Sequence, residues 1–314
     1  MEINQDAQKE FTVQYYVVAF IDLLGQQDAL KKFDSLPDKN NPQEMKKFYA
    51  AVKDTFGVVR QLRRCFANFF TSYLKHSANI YNLSAEQEKA YNQMKGNDFK
   101  FQSFSDFFVF FASLKDDINK LPIEGIYATI GACASTFLLM MSVGHLMRGG
   151  IEVGLGAEMF KGEIYGPVVS SVYALESKVA QYPRIVIGPE LWRCLGVTLD
   201  SQRSDIYSKA AKKFAKTCLE MLAQDIDGMP FVDYLGEGFR KDVAAKLDKK
   251  VPQDAYNYLL EQSEKAKIRN DTKLAFRFGL LRNYFEERLH LWSDDIQPQN
   301  DGAKRNVSIL QTKD

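Results

Sequence analysis

The chain has 314 residues, 46% of them hydrophobic, which is enough for a sizeable core in one large domain or two. Its 41 basic and 40 acidic residues leave a formal net charge of +1, so no overall basic charge argues for nucleic acid, and an anionic substrate must be held by a local site. Four cysteines without CxxC spacing and only three histidines argue against a zinc site or a disulfide framework; with a polar N-terminus that lacks the layout of a secretory signal, they point to a reducing cytoplasm.

Residues 13 to 24 are apolar on both faces and partly β-branched, the pattern of a central strand covered by helices. Asp22 closes this run, and an ionised carboxylate there is unfavourable without a cation or several donors. As an isolated feature, Asp22 before Leu-Leu-Gly25 also reads as a turn former or helix N-cap. After Gly25 a helix can start at Gln26 and run to Phe33, broken by Pro37 to Pro42. From Glu44 to Leu74, apolar positions Phe48, Val52, Phe56, Val59, Leu62 and Phe66 recur at three and four and predict one long amphipathic helix. A polar surface segment, helical or loop-like, follows from Ser84 to Asn97.

Phe99 to Phe111 predicts a strand interrupted by Asp106. The side-chain period of two puts Lys100, Gln102 and Asp106 on one face, a polar row beside the second acid. Gly125 to Met147 carries no formal charge and has the length of a bilayer span, but its Gly, Ala, Cys, Ser and Thr content and the strand-like run after Arg148 favour a buried helix. The glycines of 149 to 156 mark a strand closely approached by another backbone or a ligand. Next come Ile164 to Gly166, a helix from about Pro167 to Gln181, and a strand at Arg184 to Ile187. Asp225-Ile-Asp-Gly228 lacks the remaining ligands of a calcium loop and reads as a tight turn between two strands. The last third is otherwise helical, with Leu274, Phe278, Leu281 and Phe285 as a core stripe, and residues 293 to 314 are polar and frayed. The expectation is an α/β (α+β) unit over residues 1–240 and a helical C-terminal extension, 241–314, packed on it.

The ordered set Phe20-Ile-Asp22-Leu-Leu-Gly25, Ser103-Phe-Ser-Asp106, Arg148-Gly-Gly-Ile-Glu-Val-Gly154, Gly166 to Glu176 and Tyr182-Pro-Arg-Ile185 resembles the class III nucleotide cyclases. Within them it is most similar to the bacterial pyrimidine cyclases of the Pycsar antiphage defence system, over about residues 13 to 235. The resemblance implies a ferredoxin-type sheet with flanking helices and two Mg²⁺ or Mn²⁺ ions held at Asp22, Leu23 and Asp106. The 3′-hydroxyl of UTP or CTP, with UTP preferred, would attack its own α-phosphate to give a cyclic nucleotide and pyrophosphate. Backbone N–H groups of Leu23, Leu24, Gly25 and Gln26 would meet the phosphates. It further implies a homodimer with shared active sites and a separate effector activated by the cyclic nucleotide, while the balanced charge and the buried-helix reading of Gly125 to Met147 predict no nucleic acid and no membrane.

The family's purine-selecting positions are occupied here by Gln102 and Glu163, which match neither the adenine nor the guanine pattern; Gln102 offers both a donor and an acceptor to a pyrimidine edge, and both residues also read as plain surface groups. Ser170 and Ala174 stand where the family has an Asn and an Arg that stabilise the transition state. Another cation must then serve, with Lys161, Lys178, Arg148 and Arg184 as candidates, although Arg148 is equally suited to a structural pairing with Glu152 or Glu176. Three alternatives remain beside the cyclase: a non-catalytic nucleotide sensor, a membrane-tethered interaction protein and a palm-type polymerase. The balanced charge gives the last no template footprint.

Overall fold

The computed structural model describes residues 12–26, 30, 31, 35–79, 99–115, 122–243, 247, 248 and 250–292. Its centre is a mixed but mostly antiparallel eight-stranded sheet in the order β2-β3-β1-β4-β6-β8-β7, with β5 paired to β4 off that path. The strands are β1 (Val13–Leu23), β2 (Phe99–Phe104), β3 (Phe107–Lys115), β4 (Met147–Phe160), β5 (Glu163–Tyr165), β6 (Ile185–Ile187), β7 (Leu222–Gln224) and β8 (Pro230–Val232). Among the described residues only β4 and β6 run parallel. In the first half, a helical rod joins β1 to the β2–β3 hairpin and another helix joins β3 to β4. That βαββαβ order sets β1 between β3 and β4, so the end of β1 is flanked by the strands that carry the other polar residues of interest.

Period-two alternation divides the sheet into two faces. Val17, Ala19, Ile21, Phe108, Phe110, Ile151 and Val153 enter the main core with the helices, whereas Tyr16, Val18, Phe20, Val109 and Phe111 form a smaller cluster on the opposite face. Covering part of that second face is α4 (Pro167–Ala174), through Val168 and Val172. Asp22 and Arg148 are direct cross-strand partners, and Asp22 shares its parity with Phe20, so it belongs to the α4 face.

The helical rod is α1 (Pro42–Val52), a π-helical turn (Lys53–Gly57) and α2 (Val58–Asn79). Asn41 caps it by accepting from the N–H groups of Gln43 and Glu44. The wider turn interrupts the three-and-four stripe: Thr55 is buried and its hydroxyl donates back to the Ala51 carbonyl at 2.7 Å, while Phe56, expected inside, is exposed. Beyond it Val58, Leu62, Phe66 and Phe70 enter the core as the period requires. The helix α3 (Ile123–Ser142) is buried at every position but Leu139 and Ser142. It is long and apolar enough to cross a bilayer, yet 89% of its most apolar window is buried inside the protein, as an all-round apolar core helix should be.

Two helices, α5 (Pro189–Asp200) and α6 (Ile206–Glu220), lead to the β7–β8 hairpin, whose turn at Asp227–Gly228 replaces the calcium-loop possibility. After the short α7 (Glu237–Val243), α8 (Lys250–Ile268) and α9 (Thr272–Arg288) supply Leu259, Phe278, Leu281 and Phe285 to the same core as α3. The expectations for residues 84 to 97 and 293 to 314, and most of the helix after Gln26, lie outside the described residues.

Arg148 is followed by a glycine that the strand pairing requires. A Cβ on Gly149 would lie 2.3 Å from the Phe20 carbonyl oxygen, a backbone atom that cannot swing away. Gly149→Ala is therefore expected to lower stability in urea unfolding by about 2 kcal/mol or more through strain between β1 and β4. An unchanged midpoint would contradict that close approach.

Candidate active site

The first carboxylate stands where the sequence puts it, at the penultimate residue of β1, with 19% of its side chain exposed. The second does not lie within a buried strand. Phe104 and Phe107 close a register pair, so Ser105 and Asp106 are the two-residue turn of the β2–β3 hairpin, and Asp106 is half-buried. Ser105 adopts φ +57°, a left-handed conformation that Gly or Asn more often supplies in such turns. Because the turn resets the alternation, Asp106 does not continue the polar face of Lys100 and Gln102.

A tertiary hydrogen bond draws the two acids together. The Leu23 N–H donates to the Asp106 carbonyl at 3.0 Å, and the Phe107 ring stacks on Phe20 with centroids 5.1 Å apart. The hairpin tip is thus fastened over the end of β1 by one polar and one aromatic contact. This also corrects the expectation for phosphate contacts: the N–H groups of Leu23 and Leu24 are committed to the Asp106 and Leu146 carbonyls, the latter at 2.9 Å. Gly25 lies at φ +83° on an exposed turn, whereas Gln26 is buried.

Arg148 completes the cluster. Its Nε donates to Asp22 Oδ2 at 3.2 Å and makes an ion contact with Glu176 Oε1 at 2.5 Å, so the alternative pairing with Glu152 is not used. Glu152 instead accepts the N–H groups of Val153 at 2.9 Å and Leu191 at 2.7 Å, anchoring the first turn of α5. Burial raises the Asp22 carboxyl above the ordinary carboxylate value; Arg148 opposes the shift and the charge of Asp106 adds to it. Glu176 is raised for the same reasons, with burial first, Arg148 opposing and Asp22 reinforcing.

The other predicted residues fall into two groups. Gln102 and Glu163 come together: with Met159, Phe160, Ile164 and Tyr165 they line a groove of about 310 Å³. It forms because the β4–β5 hairpin leans across the sheet to reach β2, where Lys100 pairs with Glu158 and is not available as a simple substrate cation. Ser170 is exposed on α4 with no hydrogen bond to the acids. Of the four candidate cations only Arg148 contacts Asp22. Arg184 is a buried clamp on Asp225 and Asp227 that also donates to the Val179 carbonyl at 2.9 Å, holding the β7–β8 turn against β6. Glu176, the third acid beside Asp22, was visible in the sequence only as one of two possible partners for Arg148.

No family model matches the chain, and no curated protein is similar enough in sequence to count as a relative. Chemically, the arrangement offers two neighbouring carboxylates, one guanidinium and a third carboxylate behind them. Among the described residues no set of three or more acidic, histidine or cysteine side chains is arranged to hold a metal ion. Two carboxylates nevertheless suit a hard divalent cation whose remaining ligands are water and substrate phosphate oxygens.

The raised Asp22 value has a testable sign. Between the unfolded and folded values the native state binds more protons, so stability falls as pH rises through that interval. In chelator, Asp22→Asn is expected to melt above the wild type at pH 8, with the difference narrowing as pH is lowered towards about 4. A lower melting temperature at pH 8 would show that the pair with Arg148 outweighs the cost of burial.

Proposed function

We propose that this chain is a class III-type nucleotide cyclase acting on a pyrimidine nucleoside triphosphate, UTP in preference to CTP, and that its product is a signal in antiphage defence. The observation that carries the reading is the fastening of the Asp106 hairpin to the end of β1 beside Asp22, within the strand order β2-β3-β1-β4. The class III resemblance implies just such a pair of acids on a strand end and an adjoining hairpin. A sheet could bury or solvate these acids separately; placing like charges together costs stability unless a cation is to be bound there.

In the reaction, the ribose 3′-oxygen bonds to the α-phosphorus, the bond from that phosphorus to the β-phosphate bridge breaks, pyrophosphate leaves and the hydroxyl proton passes to solvent. Two Mg²⁺ or Mn²⁺ ions held by Asp22, Asp106 and Leu23 would supply hydroxyl activation and charge neutralisation. Arg148, beside Asp22, would meet developing phosphate charge in place of the arginine missing at Ala174. Gln102 and Glu163 sit together where the family reads the base, and an amide with a donor and an acceptor suits uracil or cytosine. Exposed Phe160 and Tyr165 on this groove, with Phe104 and Tyr173 also exposed, give the homodimer reading apolar surface to cover.

One observation favours a second reading, a nucleotide sensor without turnover: α4, with sequence PVVSSVYA, carries no basic residue. Pyrophosphate release from UTP and CTP, measured beside nucleotide binding, separates the two. The cyclase predicts release that is lost in Asp22→Asn and Asp106→Asn and reduced about 10³-fold in Arg148→Ala. Binding without release would establish the sensor, and near-normal release by either aspartate variant would refute the two-acid assignment.

A further inference from the structure

Among the described residues three glutamates are buried, Glu124, Glu152 and Glu176, and the last two pack against β4 or lie within it. Glu152 anchors α5 through backbone donors. Glu176 accepts from no backbone group among the described residues; its side chain is 5% exposed, and its carboxyl meets the Arg148 guanidinium, at 2.5 Å from Oε1 to Nε, and the Asp22 carboxyl. A buried carboxylate left in that state is costly and calls for an explanation.

Its position is also built deliberately. Glu176 lies in a π-helical turn, Leu175–Val179, that continues α4. Such turns insert a residue into the helical register and occur often at functional sites. This one approaches β4 over Gly150, where a Cβ would lie 2.6 Å from the Leu175 Cβ. The wide turn and the missing side chain together bring Glu176 down onto the residue that faces Asp22.

We propose that Glu176 is a positioning residue for Arg148, acting as a standing counter-ion that lets Asp22 exchange its guanidinium partner for a divalent cation while Arg148 stays in place. Arg148 Nε is shared by the two carboxylates, and neither Nη makes a hydrogen bond among the described residues. With Asp22 as its only counter-ion, Arg148 would compete directly with a metal ion for that carboxylate. Glu176 keeps the guanidinium neutralised when Asp22 turns to the cation, and leaves the Nη groups for a phosphate oxygen. This role rests on the two-metal reading above.

The test is Mn²⁺ titration of the full-length protein without nucleotide, following free Mn²⁺ by electron paramagnetic resonance. The wild type, Glu176→Gln, Arg148→Met and the double variant complete a cycle, with Asp22→Ala as reference and circular dichroism as the check on folding. Glu176→Gln is expected to weaken Mn²⁺ binding about 10-fold, the low end for an outer partner of a metal ligand. In the Arg148→Met background the same change should shift affinity by less than about twofold, because the effect travels through the arginine. Equal losses in both backgrounds would mean that Glu176 acts only as a nearby negative charge, and no loss in the wild-type background would remove its role; either result overturns the proposal while leaving the acids as a metal site. If Glu176→Gln fails to fold, Glu176→Met takes its place in the cycle with the same expectations. Wild-type protein that binds Mn²⁺ no better than Asp22→Ala would overturn the two-metal reading, and this proposal with it.

Discussion

The pairing of β3 with β1, closed by a backbone hydrogen bond from the Leu23 N–H to the Asp106 carbonyl, sets the two acids side by side. β3 pairs with β1 as far as Phe107 opposite Asp22, so strand register brings the β2–β3 turn to the end of β1 and the Leu23 bond closes it there. Two carboxylates from distant parts of the sequence thus share one corner of the fold. The bond itself is worth only about 1 kcal/mol, so it cannot hold the hairpin unaided. The stacking of Phe107 on Phe20 and the continuous pairing of β3 with β1 supply the rest.

The neighbourhood of that corner is arranged around the resulting charge. Arg148 arrives by strand register, as the residue opposite Asp22, and Glu176 by a helical turn of unusual width. Gly149 and Gly150 follow Arg148 because the Phe20 carbonyl and Leu175 leave no room for side chains. Sequence, register and packing thus converge on an assembly of three acids and one cation. As a purely structural device it is poor, since burial raises both Asp22 and Glu176. Under the cyclase proposal, its excess of negative charge would be met by divalent cations.

Much of this was legible in the chain. The apolar run to Ile21 announced a central strand and made Asp22 conspicuous, and the glycines after Arg148 announced a close approach. Asp106 was recognisable as an acid but not as a turn residue: Phe104-Ser-Asp-Phe107 lacks the Asn-Gly signature, and its hairpin needs a serine at positive φ. The N–H groups of Leu23 and Leu24 seemed open because their acceptors, Asp106 and Leu146, are supplied by tertiary folding. Phe56 and Glu176 share another cause, since both lie in π-helical turns and a period of 3.6 cannot place them. Arg184 looked like a spare cation because its partners, Asp225 and Asp227, come from a hairpin some forty residues away.

The most direct test of the central claim is to incubate the purified chain separately with ATP, GTP, CTP and UTP, with Mg²⁺ or Mn²⁺, and identify the products by chromatography and mass spectrometry. The account predicts cyclic UMP, or cyclic CMP, with an equimolar amount of pyrophosphate and no product from the purine nucleotides. A purine cyclic nucleotide would contradict the base assignment drawn from Gln102 and Glu163. Failure to convert any of the four, with no measurable binding of them, would contradict the reading of this corner as a nucleotide site.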